Sequence, residues 1–92
     1  MLFEWNPEKA AANLRNHGVD FQEAVLTFRD ALRVERVDDR QNYGEERFSL
    51  LGMCGGTILH VTYTERGGFI RIISARRAEK HERDYYYREN SI

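Results

Sequence analysis

The sequence is poor in cysteine and proline and has no long apolar run. Its single cysteine, Cys54, excludes a disulfide within the chain and cannot form a metal site by itself. No apolar stretch approaches the roughly 20 residues that cross a bilayer. The segment from Met1 to Trp5 is too short and too acidic for a secretory signal. We therefore expect a cytoplasmic protein that makes no contact with a membrane.

Several familiar catalytic and binding signatures are also absent. The sequence contains no Walker phosphate-binding loop, no paired zinc signature and no nucleophile elbow. The three histidines do not stand at ligand spacing around Cys54, and no carboxylate cluster for Mg²⁺ is evident. We therefore expect the protein to use neither a metal nor another cofactor.

The composition that remains is typical of an ordinary folded protein. The 92 residues are 41% hydrophobic and 32% charged, which predicts a single domain over residues 1–92. The net charge is −1, but residues 1–65 carry 7 Lys/Arg and 11 Asp/Glu, whereas residues 66–92 carry 7 and 4. This asymmetry permits a basic surface in the C-terminal part that meets phosphates.

The segment 57–77 predicts a β-hairpin around which the rest of the chain is organised. Two runs rich in Ile, Val, Thr, Tyr and Phe flank a turn at Arg66-Gly67-Gly68. Because successive side chains in a strand alternate between faces, the first run has an apolar and a polar face. The apolar face carries Leu59, Val61 and Tyr63, and the polar face carries His60, Thr62 and Thr64. Matching the apolar faces puts His60 and Arg71 together on the polar side.

The flanking segments predict the remaining helices and strands. Asn6-Pro7 starts a helix that ends at Gly18, with Ala10, Ala11, Leu14 and His17 on one side. Asp20 and Glu23 form a capping box for a second helix reaching about Phe28. Strands are predicted at 3–5, 31–37 and 46–54, with a polar loop at 38–45 and a turn at Gly55-Gly56. Ser74 caps a last helix over 75–89.

These elements predict an α+β fold. An antiparallel sheet of about four to five strands has the two N-terminal helices on one face, and the C-terminal helix borders the other face. The polar face then collects hydroxyl, guanidinium and imidazole groups. They are Arg47, Ser49, His60, Thr62, Thr64 and Arg71, joined by Arg33 and Glu35 from a neighbouring strand and by Arg76, Arg77, Lys80 and His81 from the last helix.

Two interpretations of this face stay open from the residues. Guanidinium groups bind phosphate bidentately, and histidine transfers protons near neutral pH, so the set suits metal-free cleavage of RNA. A wet polar face with cross-strand pairs is equally typical of antiparallel sheets. Tyr85, Tyr86 and Tyr87 either stack on bases or pack with wet hydroxyl groups.

Five blocks of the sequence closely resemble the BrnT family of bacterial toxins. The blocks are Phe3–Ala10, Asn13–Phe21, Gly44–Phe48, Thr64–Arg66 and Arg71–Arg76, in that order. The resemblance implies a RelE-like fold and a type II toxin–antitoxin ribonuclease that inhibits translation. It also implies neutralisation by a BrnA-type antitoxin, whose DNA-binding part lets the complex repress its own operon.

The leading hypothesis is therefore an endoribonuclease toxin that acts on RNA. Arg47 and Arg71 clamp the scissile phosphate, and His60 transfers the proton. The predicted RNA-binding residues are Arg33, Arg76, Arg77, Lys80 and Tyr85. The alternative is a non-catalytic binding module, or an inactive toxin, that only forms the antitoxin complex for operon autoregulation.

Overall fold

A computed structural model of the chain describes residues 1–39 and 44–91, which form five strands and three helices. In chain order the elements are β1 (Leu2–Glu4), α1 (Pro7–His17), α2 (Phe21–Thr27), β2 (Val34–Asp38), β3 (Arg47–Cys54), β4 (Thr57–Arg66), β5 (Phe69–Arg77) and α3 (Lys80–Glu89). The predicted α+β class and the order of elements are confirmed. No helix in the described ranges is long and apolar enough to span a membrane.

Helix α1 begins and ends as predicted, but it buries a different side. The Asn6 Oδ1 atom accepts hydrogen bonds from the backbone N–H groups of Glu8 (2.8 Å) and Lys9 (3.2 Å). Gly18 ends the helix in the left-handed conformation, with φ 69°. Of the predicted apolar side only Ala10 packs against the core; the prediction is wrong for Leu14, which is 49% exposed, while Asn13 is buried.

Asn13 is buried because its amide joins α1 to the sheet. Its Nδ2 donates to the carbonyl oxygens of Val19 (3.0 Å) and Ala75 (2.8 Å), and its Oδ1 accepts from the Ala75 N–H (3.1 Å). Every donor and acceptor of a buried amide needs a partner. Here the partners hold α1 against β5.

Helix α2 follows the predicted capping box. The Asp20 carboxylate accepts from the Gln22 N–H at 2.8 Å, and the Glu23 carboxylate accepts from the Asp20 N–H at 3.1 Å. Phe21 and Ala24 are fully buried against the sheet. This helix therefore supplies much of the apolar cover on its side of the sheet.

The five strands form one sheet in the order β1-β5-β4-β3-β2. β2, β3, β4 and β5 pair antiparallel, but β1 pairs parallel with β5, so the prediction of a purely antiparallel sheet is wrong. Tight hairpin turns force neighbouring strands to run in opposite directions. No such turn joins β1 to β5, so their relative direction is set by packing.

The two predicted hairpin turns are confirmed. β3 and β4 turn at Gly55-Gly56, and β4 and β5 turn at Gly67-Gly68. Gly67 and Gly68 have φ values of 58° and 84°, which favour glycine over any residue with a side chain. The predicted polar loop at 38–45 starts later because Asp38 ends β2, and residues 40–43 of that loop lie outside the described ranges.

The predicted start of the last helix at Ser74 is wrong. Strand β5 continues to Arg77, and α3 starts only at Lys80, with Glu79 as its N-cap. Ser74 pairs with Thr62 of β4, and Asn13 bonds both backbone groups of Ala75. These long-range hydrogen bonds hold the segment extended, whereas its local sequence favours a helix.

A β-bulge in β5 decides which side chains share a face. Tyr63 pairs with Ile72 and Thr62 pairs with Ser74, which leaves Ile73 as an extra residue. An extra residue inverts the alternation of the side chains that follow it. Ala75 is therefore buried in the core, and Arg76 lies beside His60.

The sheet separates two apolar clusters. The larger lies under α1 and α2 and contains Val19, Phe21, Ala24, Phe28, Leu50, Leu59, Val61, Tyr63, Ile72 and Ala75. The smaller lies under α3 and contains Leu51, Ile58, Ala78 and Tyr86. We call the sheet face that carries the smaller cluster the open face, because α3 packs over only part of it.

Candidate active site

Three cross-strand rows of side chains lie on the open face. The histidine row is Arg76, His60, Leu51 and Val34; the hydroxyl row is Ser74, Thr62, Ser49 and Arg36; the arginine row is Glu4, Arg71, Thr64, Arg47 and Asp38. Adjacent rows are two residues apart along β3 and β4, or roughly 6.6 Å, and the bulge adds one residue between Arg71 and Ser74 on β5. The open face therefore joins imidazole, hydroxyl and guanidinium groups in one continuous surface.

The Glu82 carboxylate of α3 lies over the histidine row. Arg76 donates to it bidentately, with Nη1 to Oε1 at 2.7 Å and Nη2 to Oε2 at 2.9 Å. The His60 Nε2 atom lies 3.8 Å from Glu82 Oε2, and both side chains are only 13% exposed. The negative charge of Glu82 therefore lies directly beside the His60 imidazole and limits the orientations of its ring.

The charge of Glu82 is maintained by its hydrogen bonds. Burial alone would raise the pKa of Glu82, but the bonds from Arg76 and from the Glu79 N–H, with the charge of His60, lower that pKa to about 2. Glu82 Oε1 accepts from the Glu79 N–H at 2.8 Å, which satisfies a backbone group at the start of α3. One carboxylate thus ties the start of the helix to His60.

A groove runs between α3 and the strands β2, β3 and β4; we call it the α3 groove. Its volume is about 370 Å³, and it is lined by Val34, Arg36, Ser49, Leu51, His60, His81, Glu82, Asp84, Tyr85 and Arg88. A second cavity of about 310 Å³ continues past His60 and His81 to Asp38 and Asp39. Imidazoles from the sheet and from the helix therefore line one open channel.

The tyrosines of α3 have three different environments. Tyr86 is buried and donates a 2.6 Å hydrogen bond to Asp30, so it fastens α3 to the body of the protein. Tyr85 is half-buried in the groove, with Arg36 Cζ 4.6 Å and Arg88 Cζ 5.4 Å from its ring centroid. Tyr87 is 57% exposed. Of the three, Tyr85 is the one that lines the α3 groove.

Arg47 and Arg71 of the arginine row do not line the α3 groove or the cavity that continues it. Thr64, which separates Arg47 from Arg71 in this row, is four residues from His60 along β4, or about 13 Å. Arg47 Nε is 3.3 Å from Glu45, and Arg71 Nη1 donates to Glu4. The structure therefore puts the three predicted catalytic residues on one face but does not gather them around one point.

Arg33 lies on the other side of the sheet from this face. Its Nε donates to Glu35 at 3.2 Å, and Glu35 accepts from the hydroxyl of Tyr63, which belongs to the core under α1 and α2. The prediction that Arg33 and Glu35 join the polar face is therefore wrong. Val34 pairs with Leu51, so Val34 and Arg36 are the β2 residues that face α3.

The remaining predicted RNA-binding residues lie near the start of α3. Arg76 is on β5 rather than on the helix and bonds Glu82. Arg77 is exposed at the end of β5. Lys80 is exposed and lies 2.8 Å from Asp84, so its charge is offset by a carboxylate of the same helix.

Among the charged and imidazole groups of the groove, five were not among the predicted catalytic or RNA-binding residues: Arg36, His81, Glu82, Asp84 and Arg88. Whether Arg36 faces the groove depends on which face of β2 is turned toward α3. The neighbouring residues are polar on both faces, so the sequence does not indicate which one it is. In the sequence, Glu82 cannot be distinguished from the other charged residues of the last helix. His81 could have been predicted as a site residue from the sequence, because the predicted last helix places it beside the polar face.

The start of α3 also contains a small set of metal-binding side-chain types. Glu79, His81 and Glu82 each offer one atom, and these atoms lie within 4.8 Å of one another. Carboxylates and imidazoles near one another are common without a metal. A cation bound here would compete with Arg76 for the Glu82 carboxylate.

Fold and site together define a small α+β protein with imidazole, guanidinium and carboxylate groups in a groove beside a sheet. The chain belongs to the BrnT family, ribonuclease toxins of type II toxin–antitoxin systems, because the model of that family matches residues 5–82. The match includes His60, Arg76, His81 and Glu82, and it ends before Tyr85 and Arg88. No match is found among the curated proteins compared with the chain. Membership of the family implies an antitoxin as partner.

Proposed function

We propose that this chain is a metal-independent endoribonuclease toxin that cleaves RNA in the α3 groove and so inhibits translation. The observation that carries the proposal is the contact between His60 and Glu82 at a groove that His81 also lines. A carboxylate that orients an imidazole is a recurring arrangement for proton transfer. Family membership supports the reaction class.

The proposed chemistry uses the RNA itself as nucleophile. The 2′-hydroxyl oxygen attacks the adjacent phosphorus, and the bond from phosphorus to the 5′-oxygen breaks. His81 accepts the proton of the 2′-hydroxyl, and protonated His60, attracted by Glu82, donates a proton to the leaving 5′-oxygen. The products are a 2′,3′-cyclic phosphate and a 5′-hydroxyl, and solvent restores both histidines.

Guanidinium groups then have two separate tasks in this proposal. Arg36 lines the groove with His60 and stabilises the charge that develops on the scissile phosphate. Arg47 and Arg71 flank Thr64, whose backbone is about 13 Å from that of His60 along β4, and they bind phosphates further along the RNA. Arg76 is a positioning residue because it acts through Glu82.

The proposed partner is a BrnA-type antitoxin. Its DNA-binding part directs the toxin–antitoxin complex to the operator, so the toxin reaches operator DNA only through the antitoxin. Membership of a type II toxin–antitoxin family supports this assignment. The same assignment fits a protein that acts inside the cell.

The decisive experiment compares RNA cleavage by the purified protein with and without a chelator. We expect cleavage in the presence of chelator and its loss in His60→Ala. His17→Ala is the matched control, because it removes an exposed imidazole at the end of α1. Cleavage that requires Mg²⁺, or full activity of folded His60→Ala, would contradict the mechanism.

A second candidate function is a binding module that only assembles with the antitoxin. It is favoured by the ion pairs that offset Arg47, Arg71 and Arg76 within the chain. Induced expression of the wild type beside Arg47→Ala, His60→Ala and Arg71→Ala separates the two functions. Growth arrest by wild type that is relieved in folded His60→Ala supports the nuclease. No arrest by folded wild type, with a stable antitoxin complex, supports the binding module.

A further inference from the structure

The α3 groove has an apolar end that the proposed proton transfer does not use. Leu51 is buried at its floor, and half-buried Val34 and Tyr85 stand beside it. Arg36 and Arg88 complete this end of the groove, and we call these five residues the Tyr85 compartment. An aromatic ring and aliphatic side chains beside two cations suit a flat, apolar group attached to an anion.

The charges around the compartment favour an anionic ligand. Both Arg36 and Arg88 are exposed and lie near the Tyr85 ring. Two carboxylates line the groove, and each forms an ion pair with a cation outside it. Arg76 neutralises the charge of Glu82, and Lys80 neutralises that of Asp84. The potential of the compartment is therefore set mainly by its two guanidinium groups.

We propose that the Tyr85 compartment binds one unpaired nucleobase of the RNA, next to the phosphate that His60 cleaves. This inference rests on the proposed function and adds the class of substrate: RNA that is single-stranded at the cleavage site. Aromatic rings and guanidinium planes are the surfaces on which unpaired bases stack. A base inside a duplex is already stacked and paired, so it does not enter a compartment bounded by a helix and a sheet.

Binding of the base requires only a small rearrangement. Arg36 lies over the Tyr85 ring at 4.6 Å, on an exposed side chain. An exposed cation–π contact is weaker than the stacking of a base on an aromatic ring. The base displaces Arg36 from the ring, and the freed guanidinium turns to the adjacent phosphate, which brings it to the position that the proposed chemistry needs.

The experiment measures binding of short 2′-O-methyl RNA, which lacks the attacking hydroxyl and is not cleaved. Three probes are compared: a single strand, the same strand in a duplex, and the single strand with one abasic position. We expect wild type to prefer the single strand and Tyr85→Leu to bind it about tenfold more weakly. Tyr85→Phe keeps the ring and should bind like wild type. The abasic position should remove the difference between wild type and Tyr85→Leu when it occupies the compartment.

Equal binding of duplex and single strand, or equal binding by folded Tyr85→Leu and wild type, would overturn the subsite. Cleavage assays keep this outcome separate from the proposed function. If wild type cleaves RNA but Tyr85→Leu binds equally well, the nuclease stands and the subsite fails. If binding depends on Tyr85 but no RNA is cleaved, the subsite stands and the nuclease fails.

Discussion

The two faces of the sheet differ in how completely they are covered. On one face α1 and α2 bury Leu50, Val61 and Ile72 almost entirely. On the open face the apolar area ends at Leu51 and Ile58, and polar rows fill the remainder. Apolar burial stabilises a fold, whereas a ligand needs polar groups that stay accessible. Substitutions on the covered face should therefore affect stability, and those on the open face should affect activity.

The largest effect is expected from the histidine row. His60→Ala should lower kcat for RNA cleavage by about 10²–10⁴-fold, because the proton donor is lost, with little change in KM. Arg71→Ala should instead raise KM, because Arg71 belongs to the distant arginine row. Steady-state kinetics on one RNA measures both. A fall in kcat for Arg71→Ala as large as that for His60→Ala would show that the two rows act on one phosphate.

The covered face provides the next largest effect. Asn13→Ala should lower the free energy of unfolding by about 3 kcal/mol, because buried backbone groups of Val19 and Ala75 lose their partners. Chemical denaturation measures this change. Asn16→Ala, on an exposed position of the same helix, is the control and should change stability little. Comparable losses in both variants would contradict the role of Asn13.

Acid should weaken the contact between α3 and the open face. The folded-state pKa of Glu82 is about 2, below the usual 4.5, so its stabilising contribution is complete above pH 4.5 and is lost as pH falls toward 2. At pH 3 the loss should be about 2 kcal/mol. Unfolding measured at pH 7, 5 and 3 should show a smaller decline for Glu82→Gln than for wild type. Glu89→Gln, at an exposed position of α3, should decline like wild type; parallel declines in all three proteins would exclude this role for Glu82.

The smallest effect tests the attachment of α3 itself. Tyr86→Phe removes the 2.6 Å hydrogen bond to Asp30 and should cost about 1.5 kcal/mol of stability. Thermal unfolding measures it, with Tyr87→Phe as an exposed neighbour for comparison. RNA cleavage well below the melting temperature should change little, since Tyr86 does not line the groove. Equal melting temperatures for the two variants would mean that other contacts hold α3.

Both ends of α1, the start of α2 and the two tight turns were predictable, because their sequence signals are local. Asn6 and Gly18 bound α1, and the capping box starts α2, each through groups within a few residues. The two glycine turns set the hairpins in the same way. Alternation along β3 and β4 then put Arg47 and His60 on one face, as the paired strands confirm.

The errors concern contacts between distant segments. Leu14 was expected on the buried side of α1, but Asn13 is the buried residue, since the approach of β5 gives the Asn13 amide its partners. Arg33 was expected on the polar face, but the pairing of β2 with β3 turns Arg36 there instead. The local sequence of β2 gives no signal for this choice, because charged residues lie on both faces of the strand.

The sequence by itself determined the α+β class, both ends of α1, the start of α2, the hairpin turns and the alternation that brings His60 and Arg71 to one face. It did so because these features depend on backbone preferences and side-chain period within short segments. The tertiary structure alone decided that β1 runs parallel to β5 and that β5 continues through Ser74. It also decided that a bulge at Ile73 turns Arg76 toward His60 and Glu82. These outcomes depend on hydrogen bonds between residues far apart in the chain, so the sequence of one short segment cannot predict them.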